Sequence, residues 1–243
     1  MSRAARRVQL AAGYVLHHRP YRDTSRIVEV FTREHGRLTL FARGVRGPKS
    51  RLAPVLQPFR RLLLSFVLGR GDAAQLTGAE LADAAAPTPR AQTLMSAYYL
   101  SELLLKLTER LDAQPALYEA YSRALQQLCE PGPEAPVLRE FEMQLLQACG
   151  YGIDFTGLEP ARRYLFTAGV GFTPCQHSSE EPSEQEASLS GAALLAVAAG
   201  HWHDPEGLAA ASRILRAALV QCLDGYEIRT RAVARAVRRQ VMR

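Results

Sequence analysis

Along the first 80 residues short apolar runs alternate with polar positions, and from Pro87 onward they give way to stripes of helical length. GYVLHHR, SRIVEVFT, GRLTLFAR, VLQPFRRLLLSFVL and AAQLTGAEL, set apart by turn-like or polar stretches, read as five short strands. Alternation is clearest in the third, where Leu38, Leu40 and Ala42 share one face and Arg37, Thr39, Phe41 and Arg43 the other. Five such strands predict a small barrel or a sandwich. Beyond Pro87, AQTLMSAYYLSELLLKLTERL places Leu94, Tyr98, Leu103, Leu104, Leu107 and Leu111 on one helical stripe. Pro115 opens a second helix that runs through Cys129, and VLREFEMQLLQACG forms a third with Gly150 as its C-terminal cap. From Tyr151 the composition turns to Gly, Pro, Ser and Glu, which predicts irregular structure ending in an acidic loop. Helices close the chain at 188–200, 205–224 and 228–241. The pattern is therefore α+β: a strand domain over 1–82, then a helical domain over 83–243 with an irregular insert at 151–187.

Charge changes this picture more than length does. The 243 residues suffice for a sizeable core and carry a formal net charge of +6. Residues 1–80 hold 15 Lys/Arg against 5 Asp/Glu, residues 81–210 hold 7 against 17, and residues 211–243 hold 8 against 2. Basic ends flank an acidic middle. Like charges crowded together repel, so segregation on this scale favours an anionic partner over uniform solubilisation. No run reaches the roughly 18 to 20 apolar residues that a membrane helix needs, and a cytoplasmic protein is expected. Cys129, Cys149, Cys175 and Cys222 include no CxxC pair, so neither a disulfide framework nor a redox motif is indicated.

The chemistry concentrates in FARGVRGPKSR, residues 41–51. Its Gly44, Gly47, Lys49 and Ser50 miss the spacing of a phosphate-binding nucleotide loop. As a nucleic-acid contact it has what is needed: glycines for close backbone approach, Arg43, Arg46, Lys49 and Arg51 to neutralise phosphates, and Phe41 between Arg37 and Arg43 as a stacking surface. A solvated turn beside a core Phe is the bland alternative. In the terminal run IRTRAVARAVRRQV, a helical wheel puts Val233, Ala236, Val237 and Val241 on one side and Arg231, Arg235, Arg238 and Arg239 opposite. Such a helix docks by one face and presents arginines from the other. Catalytic constellations are poor. HWHD at 201–204 puts its histidines two apart, on different sides of any helix, and reads as a helix-connecting turn. Cys175 and His177 lack a second ligand pair, and no GxSxG, HExxH or dinucleotide fingerprint occurs.

Longer blocks carry a family resemblance. GYVLHHRPYRDTSRIVEVFTREHGRLTLFARGVRGPKSR, followed by LQPFRRLLLSF and GAE, resembles the N-terminal domain of the bacterial DNA repair and recombination mediator RecO family, and LREFEMQLLQACGYGIDF resembles its helical domain. The resemblance spans about residues 8–155 and continues in LDGYEIRTR. It implies an oligonucleotide-binding (OB-fold) barrel followed by an all-α domain with a zinc-finger-like region. It further implies binding of single- and double-stranded DNA, annealing of complementary strands, association with RecR, and engagement of the acidic tail of single-stranded-DNA-binding protein for RecA loading. No catalysis, cofactor, small-molecule substrate or membrane is implied. Carried over by position, the basic barrel surface is Arg37, Arg43, Arg46, Lys49 and Arg51, and the tail-receiving cation is Arg139, with Leu138, Phe141 and Leu145 lining an apolar groove. Relatives with zinc carry two CxxC pairs near 157–178, whereas this chain retains at most Cys175, so a degenerate region without metal is expected, held by Tyr164, Phe166 and Phe172. An RNA-binding barrel module without a mediator role shares every charge feature and is the alternative reading.

Overall fold

The computed structural model of the chain describes residues 6–69, 73–175, 188–230 and 232–233. These form two compact units: one runs to Pro131 and takes up the chain again at Ile228, and the other is Gly132–Glu227.

The first unit contains β1 (Arg6–Tyr21), β2 (Ser25–Thr32), β3 (Gly36–Ala42), β4 (Leu62–Leu68) and β5 (Ala73–Leu81). They pair in the order β1-β2-β3-β5-β4, and β4 returns to β1, so the sheet closes into a barrel. Among the described strand pairings of the barrel, only β3–β5 is parallel. β1 borders two neighbours: Arg6–Gly13 faces β4 and Gly13–Tyr21 faces β2. Register shifts between Val8 and Ala11 and between Val15 and His17 let it bend around the barrel. At the first shift Leu10 takes a φ of 52° and lies exposed, while its N–H donates to Ser65 Oγ at 3.2 Å. Each irregularity resets which residues face inward. That is why the sequence alternation begins only at Gly13 and the first half of β1 escapes it. β4 errs the other way: residues 55–61 precede it as loop, with Phe59 at a φ of 65°. Inside the barrel, Leu38, Leu40 and Ala42 join Val28, Val30, Leu62, Leu64 and Phe66 in one apolar cluster.

Helices α1 (Leu94–Leu107) and α2 (Pro115–Cys129) belong to this same unit, although the sequence texture changes from strand to helix at residue 82. Tyr14 of β1 meets the rings of Tyr118 and Tyr121 on α2 at 5.5 and 5.3 Å, and its hydroxyl is hydrogen-bonded to Ser122 Oγ at 2.8 Å. On α1 the buried residues are Ala97, Tyr99, Leu100, Ser101, Leu103 and Leu104. Two members of the expected stripe, Tyr98 and Leu111, are exposed instead. The helix stops at Leu107, so Leu111 lies beyond it at a φ of 59°. There its N–H donates to Arg37 O at 2.9 Å. Gly36 makes this approach possible: its φ is 63°, and any Cβ would collide with the Asp112 backbone.

The second unit contains α3 (Glu134–Ala148), β6 (Arg163–Thr167), β7 (Gly171–Pro174), β8 (Leu189–Ser190), α4 (Gly191–Ala198) and α5 (Pro205–Cys222), with α5 packed on α3 and α4. Gly150 does cap α3: at a φ of 81° it lets Tyr151 N–H reach Leu146 O and its own N–H reach Gln147 O. The expectation of an all-α domain with an irregular insert needs correction, because β6, β7 and β8 form a three-stranded sheet. Strands of two to five residues are too short for alternation to register. Aromatics hold the sheet. Tyr164 is buried and its hydroxyl accepts from Glu159 N–H at 2.9 Å, while Phe172 lies 5.1 Å from Phe166 and 5.4 Å from Phe155. HWHD is a connection between helices: Gly200 ends α4 at a φ of 72°, and Asp204 Oδ2 caps α5 by accepting from Gly207 N–H at 2.6 Å.

Candidate nucleic-acid interface

The end of β3 brings the expected residues to one rim of the barrel. Across the sheet, Arg19 of β1, Ile27 of β2, Phe41 of β3 and Gln75 of β5 stand in register. Phe41 is half-buried, its ring 5.2 Å edge-on from that of Tyr21, at the last position of β1. Each ring has a guanidinium near it: Arg22 is 5.3 Å from the centre of Tyr21, and Arg43 is 5.6 Å from the centre of Phe41. Gln75 Nε2 donates to Phe41 O at 3.0 Å and steadies the backbone beneath the ring. Phe41 therefore packs on its own protein along one edge and remains partly exposed.

The loop beyond β3 is pinned at the turn between β1 and β2. Arg46 N–H donates to Thr24 O at 2.7 Å and Arg46 Nη1 to Arg22 O at 3.1 Å. Val45 and Leu56 are fully buried and fasten the loop into the barrel core. With the backbone so held, Arg43, Arg46, Lys49 and Arg51 are all exposed. None of the four is in an ion pair among the described residues. Burial, and then the Arg26 and His17 charges, push the His18 imidazole below its ordinary range.

Arg37 departs from its expected role. Only 13% of its side chain is exposed, its Nη2 donates to Thr108 O at 2.7 Å and its Nε to Thr108 Oγ1 at 3.3 Å, and Glu29 lies 3.7 Å away. Burial and then the Arg110 cation push its pKa down, with Glu29 opposing. Glu29 also accepts from Thr39 at 2.7 Å and from Arg110 at 3.1 Å. The alternation puts Arg37 on the outer face of the sheet, but the end of α1 covers that part of the face. Arg37→Ala is expected to cost about 1–3 kcal/mol of stability, read from a urea midpoint, while DNA affinity changes less than about twofold. A large loss of DNA affinity with unchanged stability would contradict this placement.

The helical-unit residues expected to receive an acidic tail are also differently placed. Arg139 is 8% exposed and its Nη2 contacts Glu142 Oε1 at 2.7 Å, with Glu142 fully buried. Its Nη1 reaches Ser212 Oγ of α5 at 3.4 Å. Phe141 and Leu145 are core residues, and only Leu138 is half-buried. A buried i,i+3 pair and two core side chains do not make an open groove. The family resemblance assigned them that role by position, without saying that α5 packs over this part of α3. Of the terminal arginines, Arg231, Arg235, Arg238 and Arg239 lie outside the described residues, as does His177. Cys175 is half-buried, and no cluster of three or more His, Cys, Asp or Glu occurs among the described residues.

Comparison with known proteins gives this geometry a family. The model for the Recombination protein O N-terminal domain matches residues 8–85, and that for its C-terminal domain matches residues 90–232. The chain belongs to the RecO family. It is 38% identical over 234 residues to the DNA repair protein RecO of Aromatoleum aromaticum, covering 93% of this chain and 95% of that one. It is 39% identical over 242 residues to the DNA repair protein RecO of Nitrosococcus oceani, covering 96% and 95%. A role in DNA repair and recombination accompanies this membership. Among the described residues no helix is long and apolar enough to cross a membrane.

Within this RecO-family barrel, three residues at the rim escape a reading of the sequence: Tyr21, Arg22 and Gln75. They lie 20 and 19 residues before Phe41 and 34 after it, and only the β1–β2–β3–β5 register makes them neighbours. The signal available was an aromatic followed by Arg at a hairpin turn, PYRDTS.

Proposed function

We propose that this RecO-family chain is a non-enzymatic mediator of repair and recombination. On this reading it binds single- and double-stranded DNA through the barrel unit, anneals complementary strands, and helps RecA load onto strands coated by single-stranded-DNA-binding protein, with RecR as an associate. It works in the cytoplasm, at the nucleoid when bound to DNA. The observation that carries the reading is the pinned loop with four exposed cations beside two arginine-flanked aromatic rings. A five-stranded closed barrel with this strand order supports the assignment as an oligonucleotide-binding barrel, whose ligand face includes strands 2 and 3 and the loop between strands 1 and 2. Tyr21, Arg22, Phe41 and Arg43 lie there.

The chemistry required is electrostatic. Guanidinium and ammonium groups release counterions from the phosphates, and the rings take bases in a sequence-tolerant way. Annealing then needs two strands whose repulsion is neutralised and which are held close to one another. No covalent step, metal or cofactor is part of the proposal, and the second unit is read as a degenerate zinc-finger-like fold carried by aromatic packing. The tail of single-stranded-DNA-binding protein remains a partner on this reading, but not through Arg139, Phe141 and Leu145 as they stand: the first is engaged by Glu142 and the other two are closed to solvent.

Titration of a labelled single-stranded oligonucleotide tests the proposal. With four phosphate contacts releasing about 0.7 ions each, affinity is expected to fall about fiftyfold over a fourfold rise in salt, with little dependence on base sequence. Complementary strands should anneal faster with the protein than without it. Binding indifferent to salt, or annealing no faster than the spontaneous rate, contradicts the reading. RNA that outcompetes DNA at equal salt favours the RNA-binding alternative.

A further inference from the structure

The register that sets Gln75 beside Phe41 runs on across the barrel. Phe41 of β3 pairs with Gln75 of β5, Gln75 with Val67 of β4, and Val67 with Arg7 at the start of β1. All four face outward, because their chain neighbours Leu40, Ala42, Ala74, Leu76, Phe66 and Val8 lie in the core. Three strand spacings of about 4.8 Å put Arg7 about 14 Å from Phe41 across the sheet. Arg7 is exposed and in no ion pair among the described residues. Leu10 stands on the same face. The register shift between Val8 and Ala11 sets two residues, Gln9 and Leu10, opposite Ser65, and Leu10 N–H donates to Ser65 Oγ at 3.2 Å. The bulge leaves Leu10 54% exposed at a φ of 52°, a backbone setting that costs any residue with a Cβ.

Packing of the barrel does not account for an exposed leucine at a positive φ, since the core lies on the other side of the sheet. Strain kept without a packing reason points to a ligand. The outward neighbours Ser65, Thr77 and Gly78 are uncharged, so they do not repel an anion. We propose that Arg7, Leu10 and Val67 form a second contact for single-stranded DNA, reached over Gln75 by a strand that is bound at Phe41. Arg7 takes a phosphate, and Leu10 with Val67 gives a base an apolar rest. The inference rests on the DNA-binding reading above and extends it from β2 and β3 to β5, β4 and the start of β1. Two features favour DNA over an acidic apolar peptide. The patch is continuous with the rim, because Gln75 lies between them and its Nε2 donates to Phe41 O at 3.0 Å. It also has a cation at each end, Arg7 on one side and Arg43 beside the Phe41 ring on the other, with uncharged surface between. Cations that track a backbone around surfaces that support bases are what a single strand needs, and about 14 Å is short against the roughly 4–16 nucleotides that such a barrel holds.

The test uses the full chain as wild type, Arg7→Gln, Leu10→Gly and the double variant. Each is titrated at several salt concentrations with a labelled oligothymidylate of about 16 nucleotides. Arg7→Gln is expected to weaken binding up to about fivefold at moderate salt and to flatten the slope of log affinity against log salt by about 0.7, one phosphate contact. Leu10→Gly is expected to weaken binding about threefold and to leave the slope alone, since apolar surface is lost and no charge. Its urea midpoint should hold or rise, because glycine takes a positive φ without strain, whereas a damaged fold would lower it. A third readout needs no variant: in the wild type, bound oligonucleotide should slow hydrogen exchange at Gln9 and Leu10 together with that of the loop at 43–51. Wild-type affinity and slope in the double variant overturn the inference, and so does protection of the loop without protection at 9–10. A double variant that keeps its DNA affinity but loses an acidic peptide overturns it as well, and makes the patch a protein contact. A wild-type chain that binds no oligonucleotide overturns the reading beneath it.

Discussion

Changing Arg43, Arg46 and Lys49 together to Glu is expected to weaken single-stranded DNA binding roughly a hundredfold at moderate salt. An exposed ion pair contributes up to about 1 kcal/mol, and three lost contacts amount to about 3 kcal/mol, which is about two powers of ten. Reversed charge adds repulsion on top. The slope of log affinity against log salt should flatten by about 2, three contacts at about 0.7 each, and this separates lost phosphate contacts from damage to the fold. Folding should hardly change. All three side chains are exposed and none is in an ion pair among the described residues, while the loop is fastened by Val45, Leu56 and backbone bonds that the substitutions leave alone. One bond is at risk, that of Arg46 Nη1 to Arg22 O, and as an exposed contact it is worth little. Intact DNA binding in the triple variant would acquit the loop and leave the terminal arginines as the main contact.

Arg139→Ala is expected to lower stability by about 3–5 kcal/mol, the usual consequence of removing one partner from a buried ion pair. Glu142 is fully buried and its carboxylate lies 2.7 Å from the guanidinium, so the truncation strips a carboxylate of its cation where water cannot replace it. Replacing both partners by apolar residues of similar volume, Arg139→Met with Glu142→Leu, should recover most of the loss, because the cost lies in the uncompensated charge. Urea unfolding followed by helix signal reads both. A surface cation kept for an acidic peptide would behave otherwise: Arg139→Ala would change stability by less than about 0.5 kcal/mol and lose only partner binding. The two outcomes differ enough to decide whether Arg139 supports the fold or greets a ligand.

The sequence carried the strands of the barrel well where the pleat was regular and poorly where it was not. β2 and β3 have regular pairing, and the alternation of β3 put Leu38, Leu40 and Ala42 on one face, the one that lies in the core. β1 has two register shifts, each of which resets the parity, so half of a 16-residue strand left no readable pattern. Helix caps were legible because they are local: Gly150 after α3 and Asp204 before α5 act within a few residues of themselves. A cap at Arg229 and Thr230 was not legible, since its acceptor, Glu102, belongs to α1.

The candidate site divides along the same line. Residue type and spacing by themselves determined that a positive, glycine-broken loop lies after the third strand, that it is not a nucleotide loop, and that its cations are Arg43, Arg46, Lys49 and Arg51. These are properties of a contiguous stretch. Only the tertiary structure decided which charges are offered to a ligand and which are used internally. Arg37 on β3 and Arg43 just past its end share one parity of the alternation, six residues apart, yet the chain at the end of α1 closes over the first and the second stays exposed. Arg139 looks on paper like any helix-surface cation until α5 packs on α3 and Glu142 takes its charge. Burial arises from what other segments lay over a face, and a cation can meet a phosphate only where no other segment of the chain already covers it.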